Sequence, residues 1–258
     1  MTRISLFALV VFACLSLLVS AGCSLRIGDK ASIPESGEYI TVFNRVDELL
    51  IGDLDDTVWL KDLESEYRGK KIIGLGTTSL EHCGELIFAS GACYWADPTN
   101  KGQIVELDWS EEYLPFCAIV AIEGDEKQIF GDVNGDIHQW LETKMEALDV
   151  PLAAVEVRGT FDSVHLSVAD RLPSSPTDTL KSVAIELEER QEWEMVGFYA
   201  FGENEQELIS VVGHPVHLHG KSIDGSKGGH VQQANAVGVE VTIYPIDQYI
   251  LKNRVPGF

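Results

Sequence analysis

Gly213-His214-Pro215-Val216-His217-Leu218-His219 and, after a polar connection, Gly228-Gly229-His230-Val231 form the stretch on which the reading of this chain turns. His217 and His219 are two apart, so a strand turns both imidazoles to one face and Leu218 to the other. The residues between His219 and Gly228 are rich in turn formers (Gly220, Ser222, Asp224, Gly225 and Ser226) and predict a hairpin connection. A returning strand brings His230 beside the His-x-His pair. Three imidazoles on neighbouring strands suit a divalent transition ion with open coordination positions. Zinc is the default, and ligand type leaves manganese, iron, cobalt and nickel open. His214 lies three residues before His217, so the same strand would turn it away, and it is left out of the site.

Working outward, His217-Leu218-His219 and Gly228-Gly229-His230-Val231, with ten residues between His219 and His230, resemble the metal site of the acetolactate decarboxylases. Val196-Gly197-Phe198 is similar to a strand start of that family, and Leu114-Pro115-Phe116 to another of its strands. Glu85 falls on the Glu that the family places near its metal, although His82-Cys83 stands where Leu-Asp is usual. The resemblance implies metal-dependent decarboxylation of 2-acetolactate to acetoin and carbon dioxide. In that reading His217, His219 and His230 hold Zn2+, and Glu85 handles a proton or orients water. The family's substrate-holding Arg falls on Ser167 here, so Arg158 and Arg171 are the candidates for that catalytic role. A tail Glu that the family gives its metal has no counterpart, because no Glu follows Glu240. The rival readings are a different metal-dependent lyase or hydrolase on the same site, or an exported zinc-binding lipoprotein without decarboxylase activity.

The formal net charge of −22 argues against nucleic acid as a partner, since phosphate contacts need clustered Lys and Arg. The acids are scattered through apolar-rich sequence, which excludes a disordered acidic tail. At the N-terminus, Arg3 precedes an apolar run from Leu6 to Val19 and small residues up to Cys23, the pattern of an export signal. Ser20-Ala21-Gly22-Cys23 resembles a lipobox that would leave Cys23 lipidated, while Val19-Ser20-Ala21 suits ordinary signal peptidase. The expected location is the periplasm or cell envelope, lipid-anchored. Expected partners are a small 2-hydroxy-3-keto acid, a membrane reached through Cys23, and a second copy of the chain in a homodimer. Cys83, Cys93 and Cys117 have no disulfide spacing and are expected as buried thiols.

The remaining pattern predicts an α+β fold: two packed mixed-sheet halves, β-rich, with a few short helices. The expected division is 1–23 signal peptide, 24–38 linker, 39–149 an N-terminal α+β half and 150–258 a C-terminal β-rich metal-binding half. Asn44 is expected to cap a short helix carrying Val46 and Leu49. Ile72 to Thr77 and Leu114 to Val120 are expected as buried strands, and Ser90-Gly91 lies in a tight turn. Gly131 to Asp136 mimics a calcium loop but lacks its Gly and its bidentate Glu, so Asn134-Gly135 is taken as a turn. Ile137 to Leu148 has helical spacing. Residues 153–161 and 163–168 alternate as strands, 179–192 is expected as an acidic helix, and Leu208 to Val212 as a strand. Gly220-Lys221-Ser222 is no phosphate loop, because Pro215 stands where the motif needs Gly.

Overall fold

The computed structural model describes residues 38–52, 58–78, 83–109 and 113–252. The expected signal segment, the linker apart from Glu38, and the anchor Cys23 lie outside the described residues. Along the chain run β1 (Tyr39–Phe43), α1 (Val46–Leu50), β2 (Val58–Trp59), α2 (Leu60–Tyr67) and β3 (Ile72–Thr77). Then come β4 (Glu85–Ala89), β5 (Ala92–Asp97), β6 (Gln103–Leu107), β7 (Tyr113–Leu114) and β8 (Phe116–Ala121). The second stretch has β9 (Gln128–Asp136), α3 (Ile137–Leu148), β10 (Leu152–Arg171), β11 (Lys181–Leu187) and β12 (Gln191–Ala200). It ends with α4 (Glu203–Ile209), β13 (Val216–Ser222), β14 (Gly228–Pro245) and β15 (Gln248–Lys252).

These elements build the expected β-rich α+β architecture around two large sheets. The first has seven strands in the order β15-β1-β8-β3-β4-β5-β6, and the second has six in the order β11-β10-β12-β13-β14-β9. Because β10 also pairs with β14, the strands β10, β12, β13 and β14 close on one another. Each sheet takes one strand from across residue 150. β9 pairs with β14, and β15 lies parallel to β1.

Alternation along the strands sorts the cores. Val155, Val157, Met195, Leu218 and Ile243 turn to one side of the second sheet, where Ile137, Leu141 and Met145 of α3 cover them. Ala154, Val196 and Phe198 turn to the other side and meet Ile73, Leu75 and Ile87 of the first sheet. Leu60, Leu63 and Tyr67 of α2 cover the outer face of the first sheet. Burial of this kind stabilises by roughly 25 cal/mol per Å² of apolar surface. The β3–β8 contact is close because β3 carries Gly74 and Gly76. A Cβ on Gly74 would stand 2.8 Å from the Ala118 carbonyl oxygen. Cys83, Cys93 and Cys117 are buried free thiols.

Several local expectations are corrected. Residues 181–187 form a strand, because Val183, Ile185 and Leu187 alternate and pair along the outer half of β10. That apolar side of the segment outweighs its acidic composition. Leu208 and Ile209 close a helix rather than open a strand, and their side chains pack between the sheets. Gln206 holds this helix in place by donating to the Ala200 and Phe201 carbonyls and accepting from the Gly213 N–H. Asn134-Gly135 is not a hairpin turn but lies inside β9, where positive φ at Asp132 (56°) and Gly135 (91°) accommodates irregular pairing with β14. Asn44 does not cap α1. It sits at φ 62° and donates from Nδ2 to the Pro115 carbonyl, fixing the entry to the helix. The two strands expected within 153–168 are one continuous β10.

Candidate metal centre

The ladder between β13 and β14 sets His219 directly opposite His230. β12 places Phe198 against His217 and Val196 against His219. Since Val196 and Phe198 face the first sheet, so do the histidines opposite them. Gly197 lies between these two, and a Cβ there would collide with the His217 carbonyl. The glycine of Val196-Gly197-Phe198 therefore lets β13 lie close to β12.

The three rings converge. Their centroids are 5.1 Å apart for His217–His219, 4.8 Å for His217–His230 and 5.5 Å for His219–His230. One nitrogen from each ring can be chosen so that all lie within 4.8 Å of one another. His217 Nδ1 lies 2.5 Å from the Ile209 carbonyl oxygen, and His219 Nδ1 lies 2.7 Å from that of Leu86. A carbonyl can only accept, so both Nδ1 atoms carry the hydrogen and both Nε2 lone pairs are free. Zn–N bonds of about 2.1 Å around a tetrahedral ion need nitrogens about 3.4 Å apart. The 4.8 Å spread is wider than that, so an ion would draw the rings together, and three neutral imidazole nitrogens are the donor type that a borderline transition ion takes.

Electrostatics keeps the imidazoles neutral. Burial lowers His217 to about 4, with the Ile209 carbonyl opposing and nearby His138 adding to the effect. Burial and neighbouring rings hold His219 and His230 well below the ordinary histidine range. Neutral imidazole is the form that binds a cation.

Glu85 reaches the cluster from β4 of the first sheet. It is 6 % exposed, and its Oε2 lies 3.7 Å from His219 Nε2. That separation is no ion pair, because burial pushes the Glu85 carboxyl up to about 7 while His219 is held neutral. The Ala169 N–H at 3.0 Å and the Thr77 hydroxyl at 3.3 Å hold the two carboxyl oxygens and moderate the rise. A carboxyl balanced near neutrality can give or take a proton there.

Arg158 and Arg171 stand apart from this group. The Arg158 guanidinium pairs with Glu156 and Glu194 and donates to the Ser90 hydroxyl. Arg171 is 54 % exposed and pairs with Asp178 at 3.2 Å. Among the described residues, neither makes a hydrogen bond or ion pair with Glu85 or the three histidines. Ser167, where the resemblance expects the substrate-holding Arg, does border the centre, and so does His138, which the sequence reading did not single out. Ser167 pairs directly with His230 across β10 and β14. His138, in the first turn of α3, acts electrostatically on His217 and His230, and its buried Nδ1 has no hydrogen-bond partner among the described residues. Helical spacing over 137–148 gives no sign that this side chain points toward a strand hairpin.

Comparison with known proteins agrees with the geometry. A family model described as alpha-acetolactate decarboxylase matches residues 41–255. The crystal structure of alpha-acetolactate decarboxylase from Bacillus subtilis strain 168 superposes with a TM-score of 0.66 at 19% identity, covering 84% of this chain and 90% of that one. A Staphylococcus aureus protein of unknown function, described as similar to alpha-acetolactate decarboxylase, gives 0.66 at 19% identity over 83% and 88%. At such identity these structures speak for the fold. Among curated proteins none matches the chain significantly. With a family model spanning nearly all of its folded length, this chain belongs to the alpha-acetolactate decarboxylase family.

Proposed function

We propose that this protein is a zinc-dependent carboxy-lyase that converts 2-acetolactate to acetoin and carbon dioxide. The observation that carries the proposal is the set of three convergent, neutral imidazoles with Glu85 beside them. His217, His219 and His230 would hold the cation, which when bound polarises the substrate's hydroxyl and keto oxygens. The backbone carbonyls of Ile209 and Leu86 orient two of the rings, so their lone pairs are aimed before any ion arrives. In the reaction the bond to the carboxylate carbon breaks, carbon dioxide leaves, and its electron pair stays on the remaining carbon skeleton. One proton is then needed. Glu85, balanced near neutrality at about 7 and held by Ala169 and Thr77, supplies it at Oε2. The apolar wall of Val196 and Phe198 limits water beside the reacting groups.

The test is acetoin formation by the purified protein given 2-acetolactate, with and without one equivalent of zinc. Zinc-dependent acetoin is the expected result. Bound zinc without acetoin would favour a second reading, a different metal-dependent lyase or hydrolase. One observation supports that alternative: the residue facing His230 is the neutral Ser167 rather than a cation. The N-terminal pattern adds an exported, lipid-anchored location to the proposal. Cys23→Ser should release the protein from the membrane fraction, and unchanged membrane association would end that part of the proposal.

A further inference from the structure

The three rings are not held alike. Backbone carbonyls fix Nδ1 of His217 and of His219. Among the described residues the His230 ring makes no hydrogen bond of this kind, so its aim depends on where the backbone of β14 starts. The ladder gives that start little purchase, because three residue pairs join β13 to β14 and His219–His230 is the last of them. A slip of one residue would turn His230 to the other face.

The start of β14 lies in a slot one backbone thick. Gly228 and Gly229 occupy it, directly before His230. On one side stands the turn between β5 and β6 of the first sheet. The Gly228 N–H donates to the Gly102 carbonyl at 2.8 Å, and a Cβ on Gly228 would collide with Ile104. On the other side lies β10, where a Cβ on Gly229 would stand 2.8 Å from the Ser167 carbonyl oxygen. Gly102 has φ 75°, and a Cβ there would stand 2.6 Å from the Gly228 carbonyl oxygen, so only glycine permits this approach.

The turn is braced from within. Asp97 is buried. Its Oδ1 accepts from the Thr99 N–H at 2.8 Å and the Thr99 hydroxyl at 2.6 Å, and its Oδ2 accepts from the Asn100 amide. The Gly102 N–H returns to the Asp97 carbonyl at 2.7 Å. Lys227 adds a second tie by donating to the Lys101 carbonyl at 2.7 Å. Ala96, the residue before Asp97, pairs with Glu85 across β4 and β5. One turn therefore connects the strand beside the acid to the strand that carries the third histidine.

We propose that the β5–β6 turn positions the third metal ligand: the Gly102 carbonyl, braced by Asp97, fixes Gly228 and through it the register and aim of His230. Asp97 and Gly102 touch neither ion nor substrate and act as positioning residues. The inference rests on the three-histidine metal reading above and names what sets its third ligand.

The probe is zinc alone, titrated against a chromophoric chelator in the purified full chain, with folding checked by circular dichroism. Asp97→Ala is expected to weaken zinc about tenfold and Gly102→Ala about 100-fold, the range of lost outer-shell support. Asp97→Asn keeps the acceptor for Thr99 and should recover most of the affinity. Lys227→Ala removes only a side-chain tie and should cost about threefold, the low end of one hydrogen bond. Gly91→Ala is the control. It places the same left-handed strain, φ 79°, in the neighbouring β4–β5 turn, away from β14, and should leave zinc affinity unchanged. Equal zinc affinity in wild type, Lys227→Ala, Asp97→Ala and Gly102→Ala, or an equal loss in Gly91→Ala, would overturn the positioning role and leave the centre in place. Wild-type protein that takes up no zinc would overturn the metal reading as well.

Discussion

Two polar clusters lie between the sheets, on neighbouring rows of one strand face. One is the histidine centre with Glu85. The other joins Lys71, Glu156, Arg158, Glu194 and Lys221, with Ser90, Tyr94 and Tyr244 around them. In the second cluster each charged group has an ion-pair partner, three cations sharing two carboxylates. Glu194, 4 % exposed in its side chain, accepts from Ser90 at 2.7 Å and pairs with Arg158 and with Lys221 at 3.1 Å. Burial alone would raise that carboxyl, but these donors outweigh it and hold it below the ordinary range. Glu85 has the opposite balance: among the described residues no cation pairs with it, and burial wins. Burial and polarity therefore do not mark a functional site by themselves. Ligand capacity left over after every internal partner is counted does mark it.

Breaking the histidine side should have the largest effect. His219→Ala is expected to abolish stoichiometric zinc binding and to lower acetoin formation more than the roughly 100-fold typical of lost outer-shell partners. Metal analysis and an acetoin assay on the same sample check this, and retained zinc would be incompatible with the centre. On the other side, Glu194→Ala leaves Arg158 and Lys221 without a shared partner. Because Arg158 is half exposed, the expected loss is about 2–3 kcal/mol in urea unfolding, below the full cost of a broken buried pair. Zinc content should not change, whereas a parallel loss of zinc would show that the two rows are coupled.

The contrast also predicts opposite pH behaviour for two groups in the metal-free protein. His217 is depressed from 6.5 to about 4, so the folded state binds fewer protons than the unfolded one. Its contribution to stability is present above 6.5 and is lost as pH falls toward 4. Glu85 is raised from 4.5 to about 7, so its contribution is full below 4.5 and disappears as pH rises through 7. Glu85→Gln should flatten the alkaline limb of stability against pH and leave the acid limb in place. Unfolding midpoints across pH 4–8 measure both limbs, and an unchanged alkaline limb would contradict the assignment. The smallest effect belongs to Arg171→Ala. An exposed pair of this kind is worth about 0.5 kcal/mol, and zinc binding should be unaffected. Lost acetoin formation with zinc retained would return Arg171 to the reaction.

Much of the centre was legible in the sequence because it rests on period two. His217 and His219 had to share a face, and the glycine-rich connection had to bring a third histidine back. Glu85 was legible only through family likeness, since nothing local distinguishes a strand-start Glu on an outer edge from one between two sheets. The hydrogen bond from Gln232 to Ser167 was illegible because it depends on a single slipped residue in the ladder. The segment 181–187 misled for a related reason. Its acidic residues suggested a solvated helix, while the open edge of β10 decided for a strand. Leu208 and Ile209 likewise carried an apolar signal without a period long enough to tell helix from strand.

The parallel pairing of β15 with β1 joins strands from opposite ends of the described chain. Such a contact closes a very long loop, and loop-closure entropy makes it among the last to form. The seven-stranded sheet stays incomplete until the final strand is available, even though its central members are neighbours in sequence. Glu85 hangs from that sheet and the histidines from the other. A chain stopped before Gln248 would keep the strands that carry Glu85 and the histidines but leave β1 as an unpaired edge, so it is expected to aggregate on refolding.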